Sequence, residues 1–160
     1  MTIEGFKAFN HDMTNKSGMK FEVGKTYHVD EPISFGADSN GFLMCSNIED
    51  SCRYVDDPDM KIARVKGFGT VAEGFDTVYE YFDMYSVSDM TICNLMLREE
   101  VVEEILRGNE LRACRFVNTG FMLTEKEREQ FRKRFHNPIV DNCIRYAETV
   151  RYPKLELKKR

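Results

Sequence analysis

The sequence predicts an α+β protein in which the strands come first and the helices follow. In residues 1–88, short apolar stretches alternate with glycine, proline and asparagine, a pattern typical of strands joined by turns. After residue 88, apolar side chains recur at three- and four-residue spacing, which indicates amphipathic helices. The 160 residues, 42% of them hydrophobic, suffice for one ordinary domain with a real core. We therefore expect a mostly antiparallel N-terminal sheet with one short helix, and three to four C-terminal helices packed on it or forming a small bundle.

Alternation and turn residues place the strands of the first part. Ser46 and Glu49 have the spacing of a capping box, so a short helix is expected from Asn47 to about residue 55. The glycines of 67–69 indicate a turn or a bulge. Strands are predicted at residues 5–9, 20–23, 26–29, 42–45, 60–65, 70–72 and 78–87.

Start and stop signals divide the second part into helices. Thr124 and Glu127 form a second capping box, and Asn137 followed by Pro138 is typical of a helix start. Pro153 is expected to end the last helix, because proline lacks the backbone N–H that a helix needs. The last helix should place four residues on one inner stripe: Val140, Cys143, Ile144 and Ala147. The predicted units are a β-rich domain at 1–88, a helical region at 89–153 and a polar tail at 154–160.

Charge and cysteine usage narrow the class of protein. Residues 1–90 hold 8 basic and 16 acidic residues, whereas residues 91–160 hold 15 basic and 11 acidic residues. The five cysteines are dispersed and form no CxxC pair, so we expect free thiols, no metal site and no bound cofactor. No apolar stretch reaches the roughly 20 residues needed to span a bilayer, and the N-terminus does not resemble a signal peptide. These features predict a cytoplasmic protein without a membrane segment.

Two surfaces are candidates for binding a partner. Residues 125–160 contain 11 basic and 6 acidic residues, a density that could neutralise phosphates, dock on an acidic surface or only form a solvated face. The strand predicted at 78–87 carries several tyrosines on one face. The partner-binding candidates are Tyr79, Tyr81, Tyr85, Arg128, Arg132 and Lys133.

The N-terminal half resembles an uncharacterised domain family of bacteria and their phages. The matching segments are residues 5–10 (GFKAFN), 21–27 (FEVGKTY) and 41–45 (GFLMC), followed by Tyr54. The family pattern reads G-x-K-G-F, Y-E-V-G-K-x-Y and G-F-H-F-C, and the similarity covers roughly residues 4–73. The chain departs from the pattern at Ala8, where the family has glycine, and at Leu43, where it has histidine. The resemblance implies a phage or mobile-element setting, and it leaves residues 90–160 outside the family.

A second, weaker similarity is to the ADP-ribosyltransferase fold, which implies an NAD site. In that fold a first-strand residue holds the dinucleotide, and a later strand ends in a serine just before a short helix. The similarity puts Lys7 or His11 in the first role and Ser46 in the second, with Tyr54 stacking on nicotinamide. Glu73 or Glu80 would supply the acid.

The sequence therefore supports three functions. No catalytic motif is present, and the aromatic content and the charge asymmetry favour a protein that binds a host or defence macromolecule. An ADP-ribosyltransferase-like enzyme that uses NAD is one alternative. Nucleic-acid binding through the basic C-terminal helices is the other.

Overall fold

The structure is a computed structural model that describes residues 1–30, 33, 40–74 and 84–158. It confirms an α+β protein with an antiparallel N-terminal sheet followed by helices. Five strands are described: β1 Ile3–Phe9, β2 Thr26–His28, β3 Phe42–Cys45, β4 Lys61–Gly74 and β5 Met84–Leu95.

The strand pairings close a ring. β1 pairs with β3 and with β4, and β5 pairs with the same two strands, so that the order β1–β4–β5–β3 returns to β1. β2 adds to the outside of this ring by pairing with β5. All pairings are antiparallel. The ring forms a small barrel whose core contains nine buried residues: Phe9, Phe21, Phe42, Met44, Ala63, Val65, Val87, Met90 and Ile92.

Close approach of β1 to β3 requires a glycine. A Cβ atom at Gly5 would lie 2.5 Å from the backbone carbonyl oxygen of Cys45, the residue that pairs with Phe6. Any side chain at this position would push the two strands apart, because a backbone carbonyl cannot move out of the way. Gly5 therefore allows the ring to close between β1 and β3.

Three strand predictions need correction. Residues 20–23 form no strand; Lys20 makes only an isolated bridge to Thr14. Residues 60–65 and 70–72 belong to one long strand, β4, whose register shifts between Phe68 and Val71 at the expected bulge. The strand predicted at 78–87 is described only from Met84, and it continues to Leu95, past the predicted boundary after residue 88.

The short helix after β3 forms without the predicted capping box. Asn47 occupies the N-cap, α1 spans Ile48–Ser51, and a 3₁₀ turn continues over Cys52–Tyr54. Ser46 lies outside the helix, and the Glu49 side chain binds Arg112 instead of returning to the helix start. A long-range ion pair has thus replaced the local cap.

Five further helices follow the sheet: α2 Arg98–Leu106, α3 Glu110–Val117, α4 Glu125–Phe135, α5 Pro138–Tyr146 and α6 Tyr152–Lys158. The predicted capping box of Thr124 and Glu127 is confirmed. The predicted helix start at Asn137 and Pro138 is also confirmed. The Asn137 side chain accepts hydrogen bonds from the backbone amides of Ile139 and Val140.

Pro153 does not end the helical segment, contrary to the prediction. A π-helical turn at Ala147–Arg151 separates α5 from α6, and Pro153 lies in the first turn of α6. The wider turn leaves room for the proline ring, and a first-turn proline needs no amide donor. Residues 154–158 are therefore helical rather than a frayed tail, and Leu155 is buried.

The helices pack on the outer face of the barrel. A second core joins Ala8 of β1 and Ile62 of β4 to α1 and to buried residues of the C-terminal helices. Alternation along β1 explains the two cores, since Phe6 and Ala8 face the helices while Phe9 faces the barrel interior. The predicted choice between a packed layer and a separate bundle is settled in favour of a packed layer.

Candidate functional site

Lys7 of β1 is an ionisable residue whose pKa is strongly lowered by its surroundings. Alternation places it on the Phe9 side of β1, and its Nζ lies 5.9 Å from the centre of the Phe9 ring. Nζ donates a hydrogen bond of 2.6 Å to the backbone oxygen of Leu43. Burial of the amine lowers the pKa of Lys7 from 10.5 to about 8, against a smaller opposing effect of Cys45. A lysine with such a pKa has an appreciable neutral fraction at mildly alkaline pH, which nucleophilic chemistry needs.

The pair of Cys45 and Met84 lies between Lys7 and the candidate Tyr54. Cys45 is buried on β3, and its burial raises the pKa of its thiol to about 12. Met84 pairs with Cys45 across the strands, and the Tyr54 hydroxyl donates to the Met84 sulfur at 3.0 Å. We call Lys7, Cys45, Tyr54 and Met84 the Lys7 cluster. Ser46 adjoins it in the chain, directly after Cys45.

Glu73 is less closely placed. It is exposed on β4 and pairs with Tyr85, one residue before the pair of Gly74 and Met84. Lys7 and Tyr54 thus each contact β3 or β5 near the pair of Cys45 and Met84, Ser46 follows Cys45 in the chain, and Glu73 lies one residue from the partner of Met84. The alternative acid Glu80 lies outside the described residues.

Three cavities among the described residues are lined by other parts of the chain, and none of these three is lined by Lys7, Ser46 or Tyr54. They have volumes of about 320 Å³ beside Phe6, Arg64 and Cys93, about 630 Å³ beside His11 and Asp57, and about 400 Å³ beside Arg53, Asn118 and Arg151.

The pKa of Lys7 predicts a pH-dependent stability. The unfolded chain keeps the Lys7 proton up to about pH 10.5, whereas the folded chain releases it near pH 8. The free energy of unfolding should therefore rise between these two pH values, because the unfolded state binds more protons there. We expect Lys7→Met and Lys7→Arg to lack this rise, since neither side chain titrates in the window.

Urea unfolding at pH 7, 8, 9 and 10 measures the effect as the difference between wild type and each variant. A difference that stays constant over the whole range would contradict the assigned pKa.

His11, the alternative to Lys7, is part of a structural contact. Its Nδ1 lies 2.7 Å from an Asp57 carboxylate oxygen, which also accepts a 2.8 Å hydrogen bond from the His11 backbone amide. Hydrogen bonding to Asp57 raises the pKa of His11. The pair joins the loop after β1 to the loop before β4. Among the described residues, no hydrogen bond connects this pair to the Lys7 cluster.

Arg128 and Arg132 lie on α4, which we call the basic helix, and both bind acidic residues of this same chain. The Arg128 Nε donates to Glu148 at 3.0 Å, and its Nη1 donates to the Leu123 carbonyl. Arg132 bonds Glu148 at 2.7 Å and Asp141 at 3.0 Å. These contacts fasten α4 to α5 and to the π-helical turn. Lys133 is exposed on α4.

The predicted tyrosine face is described only at its end. Tyr79 and Tyr81 lie outside the described residues. Tyr85 is half-buried and packs against the barrel core, next to Val87. Its ring therefore contributes to packing.

The sequence patterns did not predict the apolar surface formed by α3 and α5. Leu111, Ile139 and Tyr146 are 57%, 66% and 52% exposed. Two half-buried cysteines, Cys114 and Cys143, lie one helical turn from these side chains. We call these five residues the α3/α5 face.

The sequence pattern assigns Cys143 to the buried stripe of α5, so it does not identify the α3/α5 face. Val140, Ile144 and Ala147 are indeed buried, but Cys143 lies at the boundary of the core. The spacing of Ile139, Cys143 and Tyr146 is itself helical, so the sequence does contain a second stripe.

Residues 1–30, 33, 40–74 and 84–158 contain neither a metal-binding cluster nor a membrane-spanning helix. No cluster of three His, Cys, Asp or Glu side chains there could hold a metal ion. In the same part of the chain, every helix is too short or too polar to cross a bilayer.

Comparison with known families gives one result. A family model described as a domain of unknown function, DUF7666, matches residues 3–78. No curated protein and no solved structure matches the chain significantly. Over the segment that contains β1 to β4, the chain is thus similar to an uncharacterised family.

Proposed function

We propose that this chain works by binding another protein through the α3/α5 face. The resemblance of the N-terminal half suggests a phage or mobile-element protein, whose partner would be a host or defence protein in the cytoplasm. The observation that carries the proposal is the exposure of three large apolar side chains on two packed helices.

The α3/α5 face has the composition of an interface centre. Aromatic and aliphatic side chains cluster there, and an exposed apolar cluster is often a protein-binding site. An ion pair between Asp141 and Arg145, at 3.0 Å, lies on the same helix and would contribute to a polar rim. Tyr146 adds a ring with a polar hydroxyl, and tyrosine is frequent among residues that dominate binding energy.

The basic helix supports nucleic-acid binding less well. Arg128 and Arg132 already bind carboxylates of α5 and the π-helical turn. Phosphate contacts would have to break these ion pairs first. Binding through the basic helix would also weaken steeply as salt rises.

A pair of charge-matched double variants tests the proposal. Leu111→Glu with Ile139→Glu places two negative charges on the α3/α5 face. Leu97→Glu with Leu157→Glu adds the same charge at two other apolar side chains, the N-cap residue of α2 and a residue of α6, which are 65% and 67% exposed. Immobilised wild type and both variants are compared for capture of proteins from a bacterial host lysate, at low and at high salt.

We expect a captured protein that wild type and the Leu97/Leu157 variant retain at high salt and that the Leu111/Ile139 variant loses. Equal capture by all three proteins would overturn the proposal. Sedimentation equilibrium of wild type alone gives the second readout. Self-association that the Leu111/Ile139 variant abolishes would show that the face binds a second copy instead.

The lowered pKa of Lys7, near the pair of Cys45 and Met84 that Tyr54 contacts, favours an NAD-using enzyme as the second candidate. A thermal-shift titration with NAD distinguishes it from the binding protein. An enzyme of this kind would show a saturable rise in Tm that Lys7→Met removes and the Leu111/Ile139 variant keeps. The binding proposal predicts no shift in any of the three proteins.

A further inference from the structure

Cys114 and Cys143 form a pair of thiols on neighbouring helices. α3 and α5 pack against each other, which brings Cys143 close to the C-terminal turn of α3 that begins at Cys114. The Asn118 side-chain amide donates a weak hydrogen bond of 3.9 Å to the Cys143 sulfur. Both cysteines are half-buried, so that small molecules in solvent can reach them.

The other three cysteines have different surroundings. Cys45 and Cys52 are fully buried, so a dissolved disulfide cannot reach either sulfur. Cys93 is half-buried on β5, where its thiol contacts the Thr91 carbonyl at 3.8 Å. Among the described residues, Cys114 and Cys143 are therefore the accessible pair.

We infer that Cys114 and Cys143 are a dithiol site that exchanges with a small disulfide, such as oxidised glutathione, to form an intramolecular disulfide. The packing of α3 on α5 supports this inference, as does the position of the Cys143 sulfur beside Asn118, one helical turn after Cys114. A disulfide needs both sulfurs close together on opposed elements. The inference concerns the thiols themselves and does not depend on the binding proposal.

The surroundings assign different roles to the two sulfurs. Burial and the neighbouring Cys143 raise the pKa of Cys114 to about 12, so Cys114 remains protonated. Cys143 accepts the hydrogen bond from the Asn118 side-chain amide. Cys143 is therefore the attacking thiol, and Cys114 resolves the intermediate.

The exchange proceeds in two balanced steps. The Cys143 thiolate attacks one sulfur of oxidised glutathione, breaks its S–S bond and releases one glutathione thiolate. The Cys114 thiol then loses its proton to solvent as its sulfur attacks the mixed disulfide at Cys143 and releases the second glutathione. Two protein thiols are oxidised, and one glutathione disulfide is reduced to two glutathione molecules.

Mass spectrometry tests the site on the full chain. Native protein is incubated with oxidised glutathione, unreacted thiols are alkylated, and the protein is digested without reductant. We expect wild type to lose two hydrogen atoms in mass and to yield one linked peptide pair containing Cys114 and Cys143. Cys93→Ser is the matched control and should give the same linked pair.

Single variants test the order of attack. Cys114→Ser should stop at the first step and carry one glutathione on Cys143, whereas Cys143→Ser should leave Cys114 free. The linked wild-type protein should also show a Tm higher by about 5–10 °C, which dithiothreitol reverses, because the bond joins two helices across a long loop. A wild-type digest without the Cys114–Cys143 peptide pair would overturn the inference, as would a pair that includes Cys93 instead.

Discussion

Replacement of Arg112 by alanine is expected to lower the free energy of unfolding by about 3–5 kcal/mol. Its guanidinium donates to both oxygens of Glu49, from Nε at 2.7 Å and from Nη2 at 3.2 Å. Glu49 is fully buried at the junction of α1 and α3. Removal of Arg112 would leave a buried carboxylate without its cation, which costs far more than the net value of the intact pair.

Urea unfolding measures this loss, and two variants control it. Arg107→Ala removes an arginine whose contact with Glu103, at 3.6 Å, lies on the surface, and we expect a change of less than about 1 kcal/mol. Arg112→Ala combined with Glu49→Leu removes the orphaned charge and should recover much of the stability. If the Arg112 and Arg107 variants lose equal stability, Glu49 is not held as described.

Replacement of Phe131 by alanine is expected to cost a comparable 3–5 kcal/mol. Phe131 of α4 is fully buried between Phe116, at 6.3 Å between ring centres, and Phe135, at 6.0 Å. The alanine variant would leave a cavity where α3 and α4 meet, and neighbouring side chains fill such cavities only in part.

The matched control is Leu157→Ala, because this apolar side chain is 67% exposed on a neighbouring helical segment. Its expected change is within about 0.5 kcal/mol. Thermal unfolding followed by circular dichroism compares the two variants with wild type. A loss below about 1 kcal/mol for Phe131→Ala would mean that the helical core is loosely packed.

Local sequence signals predicted the local structure well. The starts of α4 and α5 were predicted from Thr124, Glu127, Asn137 and Pro138, because a capping side chain and its amide partner lie within one turn. The same logic failed for Glu49, since its carboxylate binds Arg112, 63 residues away in the chain. A pattern of neighbouring residues carries no information about such a distant partner.

The prediction of where the last helix ends was wrong for a related reason. Pro153 was expected to end the helix, yet a π-helical turn accommodates it, and buried Tyr152 and Leu155 hold α6 on the core. Packing energy gained from distant residues thus outweighs a local preference against helix.

The sequence predicted part of the candidate sites. Similarity to known strand patterns singled out Lys7, Ser46 and Tyr54 as candidates, and their role in a common site stays a prediction. The α3/α5 face escaped prediction because helical periodicity shows two apolar stripes on α5 without showing which one is covered. The ion-pair partners of Arg128 and Arg132 could not be predicted either, because composition gives the number of charged residues but not which of them are in contact.

The central position of β5 shows that the segment matched by the family model is not a complete folding unit. The family model ends at residue 78, but β5 begins at Met84 and is hydrogen-bonded to β2, β3 and β4. In this chain the matched segment alone would leave three strands with unsatisfied backbone groups and an open barrel core. The family-like half is therefore not a module that can be excised, because the residues that complete its sheet lie beyond the matched region.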